Sequence, residues 1–142
     1  DLYGLCADAL LRAMREHISS LRTRGKPVIY CGDLNVAHED VDLWGRHKEN
    51  ASSAGFTPRE RACMTALLSE CDLIDTFREF NGPDARAFTY WSYRGGAREK
   101  NRGWRLDYVL ASASTRDRLL DAWTLPDVLG SDHCPVAVRL RP

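Results

Sequence analysis

Hydrophobic residues near the start of the chain recur with the spacing of an amphipathic helix. Between residues 5 and 24 they return every three to four positions, at Leu10, Met14, Ile18 and Leu21. Gly25 and Pro27 follow in the order that usually ends a helix. This pattern predicts one helix over residues 5–24.

A short apolar run after this helix predicts a strand. Residues 28–31 are Val-Ile-Tyr-Cys, a continuous run that suits a strand buried on both faces. The sequence Gly-Asp-Leu-Asn follows at residues 32–35, where polar functional groups of an α/β sheet usually lie. Residues 37–55 are polar and without pattern, so they predict a long surface loop in which His38 and His47 are exposed to solvent.

A second helix is predicted by its N-terminal signature. Thr57 is the N-cap, Pro58 occupies the first helical position, and Glu60 stands three residues after the cap. The helix is expected to run to about residue 70 and to bury three residues, Met64, Leu67 and Leu68. Residues 73–77 fit either a helical turn or a short strand.

The second half of the chain is rich in strand signals. Strands are predicted at residues 88–93, 104–110, 122–125 and 136–140, with a short helix at 114–120. Since strands outnumber helices, the sequence predicts an α/β (α+β) domain in which a mixed sheet is backed by helices.

Composition adds limits to this picture. A chain of 142 residues that is 44% hydrophobic and 28% charged fits one globular domain, and it has no apolar run of membrane-spanning length. Its five cysteines form no Cys-x-x-Cys pair, which favours free thiols in a reducing compartment. The net charge is zero, yet residues 94–105 hold five basic side chains against one acid.

Polar clusters at three predicted strand ends carry the candidate chemistry. They contribute Asp33 with Asn35, then Asp107, and finally Asp132 with His133. If they converge, they make an oxygen-rich site for Mg²⁺, with Mn²⁺ as an alternative, and an imidazole for phosphate contact or proton transfer. No zinc spacing, Gly-x-Ser-x-Gly sequence or Walker loop is present, which disfavours a zinc site, a serine hydrolase and a P-loop enzyme.

Four motifs occur in the order and spacing of a known family. They occupy residues 32–39, 55–61, 101–108 and 130–135, and the likeness extends over residues 26–142. On these motifs the chain resembles the exonuclease III type of apurinic/apyrimidinic (AP) endonuclease. Gly-Asp-x-Asn and Ser-Asp-His alone indicate only the wider endonuclease/exonuclease/phosphatase superfamily. The block Asn-x-Gly-Trp-Arg-Leu-Asp-Tyr is far more specific to enzymes that act on abasic sites.

The resemblance implies roles for the polar residues. Asp33 would align or deprotonate the attacking water, and Asn35 would help to orient it. His133 would contact the scissile phosphate while a hydrogen bond to Asp107 holds its ring. The metal site would comprise Asp132, Asp33 and Asn35. A salt bridge from Asp107 to the nearby Arg105 is the alternative.

The resemblance also implies a DNA-binding surface. Tyr90, Trp104 and Leu106 match the pocket for the flipped-out, base-less sugar, although ordinary core positions are the alternative for such residues. For Trp91 and Tyr93 the core interpretation is preferred. Arg94 would enter the duplex near the lesion. Three further basic residues would contact the DNA backbone and make binding salt-dependent, namely Arg98, Lys100 and Arg102.

The implied fold is the second lobe of a four-layered α/β sandwich of the DNase I-like type. Residues 1–142 would form that C-terminal lobe, with the N-terminal half of the same enzyme as its partner, joined to it or separate, and the lobe alone would be inactive. The implied function is base excision repair, in which double-stranded DNA is cut 5′ to an abasic site, with 3′-phosphodiesterase or 3′→5′ exonuclease activity besides. A phosphoesterase acting on lipid or small phosphoesters and a non-catalytic nucleic-acid-binding module are the alternatives. The family implies an intracellular location, either nuclear in a eukaryote or mitochondrial or cytoplasmic.

Overall fold

A computed structural model describes residues 2–45 and 51–142, with side chains from residue 9 onward. The predicted exposure of His47 lies outside the described residues. In chain order the helices and strands are α1 (Leu2–Thr23), β1 (Ile29–Asp33), α2 (Pro58–Glu70), β2 (Leu73–Asp75), α3 (Thr76–Asn81), β3 (Asp107–Ser112), β4 (Leu119–Thr124) and β5 (Val136–Leu140). Short 3₁₀ turns lie at Asp40–Asp42, Arg94–Gly96 and Ala113–Arg118.

Two antiparallel sheets form the β layer. The first has the strand order β1-β3-β2, and the second pairs β4 with β5. In the first sheet β1 runs against β3 from the pair Ile29–Ala111 to the pair Asp33–Asp107. The register therefore ends on two carboxylates that face each other across the strands.

Helices α1 and α2 cover one face of the three-stranded sheet. The core beneath them is apolar and includes Leu11, Ile18, Met64, Leu67, Tyr108 and Leu110. Helix α2 starts as predicted, because the Thr57 side chain accepts a hydrogen bond from the Glu60 amide and Glu60 bonds back to the Thr57 amide. The predicted burial of Met64 and Leu67 is confirmed, and Leu68 is partly buried.

Three strand or helix predictions need correction. Strand β1 lies at the sheet edge with Ile29 46% exposed, so its predicted burial on both faces is wrong. Residues 88–93 form no strand, because Tyr90 instead makes isolated bridges to Trp104 on one side and His133 on the other. The helix predicted at residues 114–120 is a 3₁₀ turn that gives way to β4 at Leu119.

Two further predictions concern residues 73–77, which were left open, and residues 37–55, which were predicted to be a surface loop. Residues 73–77 contain both predicted forms, since β2 ends at Asp75 and α3 begins at Thr76. The segment predicted as surface loop carries fully buried residues, among them Asp42 at 0% exposure. The predicted exposure of His38 is wrong: its side chain is 13% exposed and bonds to the Thr65 hydroxyl at 2.8 Å. Burial lowers the pKa of His38, and this effect exceeds that of the negative charge of Glu39, which would raise the pKa.

No helix among the described residues is both long enough and apolar enough to cross a membrane.

Candidate active site

The end of the β1–β3 pairing supplies two acids to one place. Asp33 is the last residue of β1 and Asp107 the first of β3, and they are paired across the strands. Side chains of directly opposed residues lie on the same face of a sheet. The pairing register therefore brings together two carboxylates that are 74 positions apart by number.

His133 completes the group from the loop before β5. Its Nδ1 lies 2.8 Å from Asp107 Oδ2, and its Nε2 lies 4.0 Å from Asp33 Oδ2. An ionised carboxylate only accepts hydrogen bonds. The Nδ1 atom therefore carries a proton and donates a hydrogen bond to Asp107. The predicted hydrogen bond is therefore present. The alternative partner of Asp107 is not, because the described ion pairs of Arg105 are with Asp42 and Asp75.

Asn35 fixes the orientation of the Asp33 side chain. Its backbone amide donates to Asp33 Oδ1 at 2.9 Å, and its side-chain Nδ2 donates to Asp33 Oδ2 at 3.0 Å. Asn35 has a left-handed backbone with φ of 53°, a conformation that asparagine tolerates better than most residues. Both oxygens of Asp33 are thus held by one neighbour.

The electrostatics of the site favour proton uptake by Asp33. Burial raises the pKa of the Asp33 carboxyl above its ordinary value of 3.8, and the charge of Asp107 raises it further. The hydrogen bond from Asn35 and the charge of His133 act in the opposite direction. A carboxylate with a raised pKa is a stronger base than one in water, which suits a group that takes a proton from water.

Asp33, Asp107 and His133 also form a candidate metal site. Each offers one ligand atom, and these atoms all lie within 4.8 Å of one another. Two carboxylates fit a hard cation such as Mg²⁺ or Mn²⁺. The side-chain Nδ2 of Asn35 faces Asp33, and the metal role of Asn35 stays a prediction. Asp132 is not part of this group; its backbone oxygen accepts from the Trp91 amide at 2.8 Å, and its metal role stays a prediction.

An apolar cleft opens beside the polar group. Its volume is about 770 Å³, and its lining includes Tyr90, Trp104, Leu106, Asp33, Asn35 and His133. The three residues predicted for the sugar pocket therefore lie together and next to the acids. The Tyr90 and His133 rings are tilted against each other with centroids 5.0 Å apart.

A small core cluster supports the apolar wall from behind. It consists of Ala37, Leu43, Phe56 and Leu106, with Tyr90 and Trp104 packed against it. Leu43 pairs with Trp104 through an isolated bridge, so the segment predicted as surface loop forms part of this support. Trp91 is a core residue as predicted, at 3% exposure, whereas Tyr93 is 79% exposed and its core interpretation is wrong.

Gly55 allows a close approach that holds Asn35 in place. A Cβ at this position would lie 2.9 Å from the Asn35 carbonyl oxygen, and the φ of 84° disfavours any side chain. The Glu60 carboxylate accepts from the Gly55 amide at 2.9 Å, while the Ala37 amide donates to the Gly55 carbonyl at 2.7 Å. The capping motif of α2 therefore also secures the loop against Asn35.

A buried charge network anchors the segment that carries Trp104, Leu106 and Asp107. Arg105 is 1% exposed and bonds to Asp42 at 2.6 Å and to Asp75 at 2.7 Å, and Asp42 also pairs with Arg78. Burial alone would raise the pKa of Asp42, but Arg105 and Arg78 hold it below its ordinary value. Sequence reasoning missed this network because Asp42 and Arg105 are 63 residues apart.

The basic side chains of residues 94–105 differ in whether they are exposed or form hydrogen bonds within the protein. Arg94 is exposed beside Tyr93. Arg98 instead donates to three carbonyl oxygens, those of Pro126, Val128 and Ser131, at 2.7–2.8 Å. Its guanidinium also lies 4.7 Å from the centre of the Trp91 ring. Arg98 thus holds the loop that leads to His133, and its DNA contact stays a prediction.

The other two basic residues have local partners. Lys100 Nζ donates to the Gly95 carbonyl at 2.7 Å. The Arg102 guanidinium lies 4.6 Å from the centre of the Trp44 ring, and Trp44 is 43% exposed. Both side chains remain exposed, so their contact with DNA stays a prediction.

Comparison with known proteins agrees with this arrangement. The sequence model of the Endonuclease/Exonuclease/phosphatase family matches residues 3–133. The chain belongs to this family. An exodeoxyribonuclease of Bacillus subtilis is 49% identical to it over 116 residues, covering 82% of this chain and 45% of the relative. The DNA repair nuclease APEX1 of Danio rerio is 45% identical over 126 residues, covering 89% of this chain and 40% of the relative.

The solved structures confirm the fold. The AP endonuclease of Leishmania major superposes with a TM-score of 0.76 at 34% identity, covering 80% of this chain and 35% of that one. The resemblance to AP endonucleases and the DNase I-like α/β fold predicted from the sequence are thereby confirmed. The chain spans less than half the length of the curated relatives that it matches.

Proposed function

We propose that this chain carries the catalytic group and the lesion pocket of a base excision repair nuclease. The enzyme hydrolyses the phosphodiester bond 5′ to an abasic site in double-stranded DNA and leaves a 3′-hydroxyl and a 5′-deoxyribose phosphate. One observation carries the proposal: the Asp33, Asp107 and His133 side chains converge beside an apolar cleft lined by Tyr90, Trp104 and Leu106.

Asp33 and His133 divide the chemistry between them. Asp33 accepts a proton from the water that attacks phosphorus, and the two bonds from Asn35 hold its oxygens for that task. Protonated on both ring nitrogens, His133 donates one hydrogen bond from Nδ1 to Asp107 and another from Nε2 to a phosphate oxygen. The positive imidazolium then opposes the negative charge that builds on the phosphate oxygens. The bond from phosphorus to O3′ breaks, O3′ takes up a proton from solvent water, and Asp33 returns its proton to solvent.

A divalent cation would be held by Asp33 and Asp107, with Asn35 as a further proposed ligand, and Mg²⁺ is proposed as the natural ion. When bound it would supply Lewis-acid stabilisation of the phosphate and the leaving oxygen. Asp132 is proposed to contribute through water.

The cleft accounts for selectivity toward abasic sites. A nucleotide without a base can rotate out of the duplex into a small pocket with apolar walls, because it loses no base stacking or base pairing. An intact nucleotide would have to be unstacked at a cost of a few kcal/mol. Arg94, Lys100 and Arg102 are proposed to contact the duplex, which makes binding dependent on salt and largely independent of sequence.

The proposed activity belongs to a longer enzyme of which this chain is the C-terminal lobe. The matched relatives are more than twice as long as the stretch they share with it. Edge strand β1 exposes Ile29 and Cys31, a surface that an N-terminal lobe would cover. Assays of activity therefore need the full-length polypeptide that contains the chain.

The test is cleavage of a duplex that contains one tetrahydrofuran abasic analogue. Wild-type protein with Mg²⁺ is expected to cut once, immediately 5′ to the analogue, and His133→Asn is expected to lose most of the activity. His17→Asn is the matched control, since His17 is exposed on α1. A wild-type enzyme that ignores this duplex but hydrolyses small phosphoesters would refute the proposal and favour the phosphatase alternative.

A further inference from the structure

Thr89 is completely buried between the three segments that build the site. It shows 0% exposure and precedes Tyr90, yet it belongs to no strand. A buried threonine commonly serves packing alone, through its methyl group. The hydrogen bonds of Thr89 indicate more than that.

The Thr89 hydroxyl oxygen accepts from two consecutive backbone amides. The Leu106 amide donates to it at 2.9 Å and the Asp107 amide at 3.0 Å. Leu106 is a wall of the cleft, and Asp107 is the partner of His133. One side-chain oxygen therefore fixes the backbone at the point where the pocket wall, Leu106, is followed by the partner of His133, Asp107.

The backbone of Thr89 joins the remaining segments. Its amide donates to the Trp104 carbonyl at 2.8 Å, and its carbonyl accepts from the Cys134 amide at 2.7 Å. Cys134 directly follows His133 in the chain. Thr89 thus contacts the backbone on both sides of the Asp107–His133 hydrogen bond.

We infer that Thr89 is a positioning residue that sets the geometry of the Asp107–His133 pair, an inference that rests on the proposed function. Without the hydroxyl, the Leu106 and Asp107 amides lose their acceptor in a buried place, and such groups are costly to leave unpaired. The start of β3 then shifts to find another acceptor or water. Asp107 moves with it, and the hydrogen bond to His133 Nδ1 lengthens.

The experiment compares Thr89→Val with Thr89→Ser in the full-length polypeptide. Valine keeps the shape and removes the hydroxyl, whereas serine keeps the hydroxyl and removes a methyl group. Thr115→Val is the matched control, because Thr115 is also buried and its hydroxyl bonds to the Ser112 carbonyl, away from the cleft. Cleavage of the tetrahydrofuran duplex gives kcat and KM for each protein.

We expect Thr89→Val to lower kcat by about 10–100-fold, as is typical when the partner of a site residue is lost. KM should change little, because the lost contact acts on the chemical step. Thr89→Ser should retain most of the wild-type kcat, and Thr115→Val should match the wild type. If the valine variant does not fold, Thr89→Ser and Thr89→Ala isolate the hydroxyl instead, since both lack the methyl group.

A proton NMR measurement decides the same question without activity. The Nδ1 proton of His133 that is shared with Asp107 should give a low-field signal, assigned by its loss in His133→Asn. The signal should persist in Thr89→Ser and shift or broaden in Thr89→Val. An unchanged kcat and signal in Thr89→Val, or a serine variant as impaired as Thr89→Ala, would overturn the inference. If the wild type does not cut the abasic duplex, the proposed function fails, and the NMR comparison still decides the role of Thr89.

Discussion

Asp33 and Asp107 face each other across the last pair of the β1–β3 register. This alignment requires one register of strand pairing, because a shift of one residue turns every side chain of the strand to the opposite face. The carboxylate pair therefore depends on the pairing of residues 29–32 of β1 with residues 108–111 of β3. The geometry of the candidate site is a consequence of strand pairing as much as of the residues themselves.

Asp33→Asn is expected to separate activity from stability. Loss of the base should reduce cleavage by about 10²–10⁴-fold. In EDTA the same change should raise the free energy of unfolding near pH 7. The folded-state pKa of Asp33 is raised, so the wild type is destabilised as pH rises through the interval between the ordinary value of 3.8 and that raised value. Denaturant unfolding at pH 3 and pH 7 measures the difference.

Asp84→Asn serves as the control, since Asp84 is exposed in the turn after α3. It should leave both activity and unfolding unchanged. An Asp33→Asn protein that is less stable than the wild type at pH 7 would show that the burial of this carboxylate carries no cost.

Asp42→Ala should destabilise the protein strongly. The change leaves Arg105 with Asp75 as its remaining described ion-pair partner at 1% exposure, and breaking a buried pair costs about 3–5 kcal/mol. Asp42 has a lowered pKa in the folded state, so its contribution is present above the ordinary value of 3.8 and is lost as pH falls through the lowered value. The variant should therefore show less acid dependence of unfolding below pH 4 than the wild type does.

Asp121→Ala is the matched comparison, because the Asp121–Arg139 pair is exposed on the second sheet. Exposed pairs contribute about 0–1 kcal/mol. Equal losses in the two variants would contradict a special role for the buried network.

Gly55→Ala should impair both folding and cleavage. The added Cβ would meet the Asn35 carbonyl at 2.9 Å, and the positive φ adds strain of about 1–3 kcal/mol. Displacement of Asn35 would release both oxygens of Asp33. Gly25→Ala shares the positive φ but has nothing within 4 Å, so it reports the strain without the collision. Cleavage that falls equally in both variants would argue against a contact between Gly55 and the site.

Arg94→Ala and Arg98→Ala should fail in different ways. Arg94→Ala removes a proposed phosphate contact, so it should raise KM and reduce the slope of log binding constant against log salt by about 1. Arg98→Ala removes three bonds to the loop before His133, so it should lower kcat and thermal stability with the salt slope unchanged. Salt titrations of DNA binding with thermal unfolding distinguish the two. A reduced salt slope in Arg98→Ala would show that Arg98 contacts DNA, as the resemblance implies.

Local signals in the sequence predicted much of the fold. The α2 N-terminus was identifiable from Thr57, Pro58 and Glu60 because a capping box is formed by residues three apart. Helix α1 was equally visible in its apolar spacing. Contacts between residues far apart in the chain leave no local pattern in the sequence. For this reason the burial of Asp42 was missed, and strand β1 was wrongly predicted to be buried on both faces.

The residues of the candidate site and one of its contacts were predicted from the sequence. The motifs named Asp33, Asp107 and His133 together, and the hydrogen bond between the last two is present. The alternation of aromatic with small polar residues at 88–93 predicted a strand. Tyr90 bridges to both Trp104 and His133, and Thr89 bonds to segments on both sides, so no single strand pairing forms.

In the proposed enzyme, one catalytic group serves a pocket that admits only a base-less sugar. The most direct test is the ratio of kcat/KM for a tetrahydrofuran duplex to that for the same duplex with an intact nucleotide, measured with full-length protein and Mg²⁺. We predict a strong preference for the abasic duplex that narrows in Trp104→Ala, together with loss of cleavage on both duplexes in His133→Asn. Equal cleavage of the two duplexes by the wild type would contradict the account.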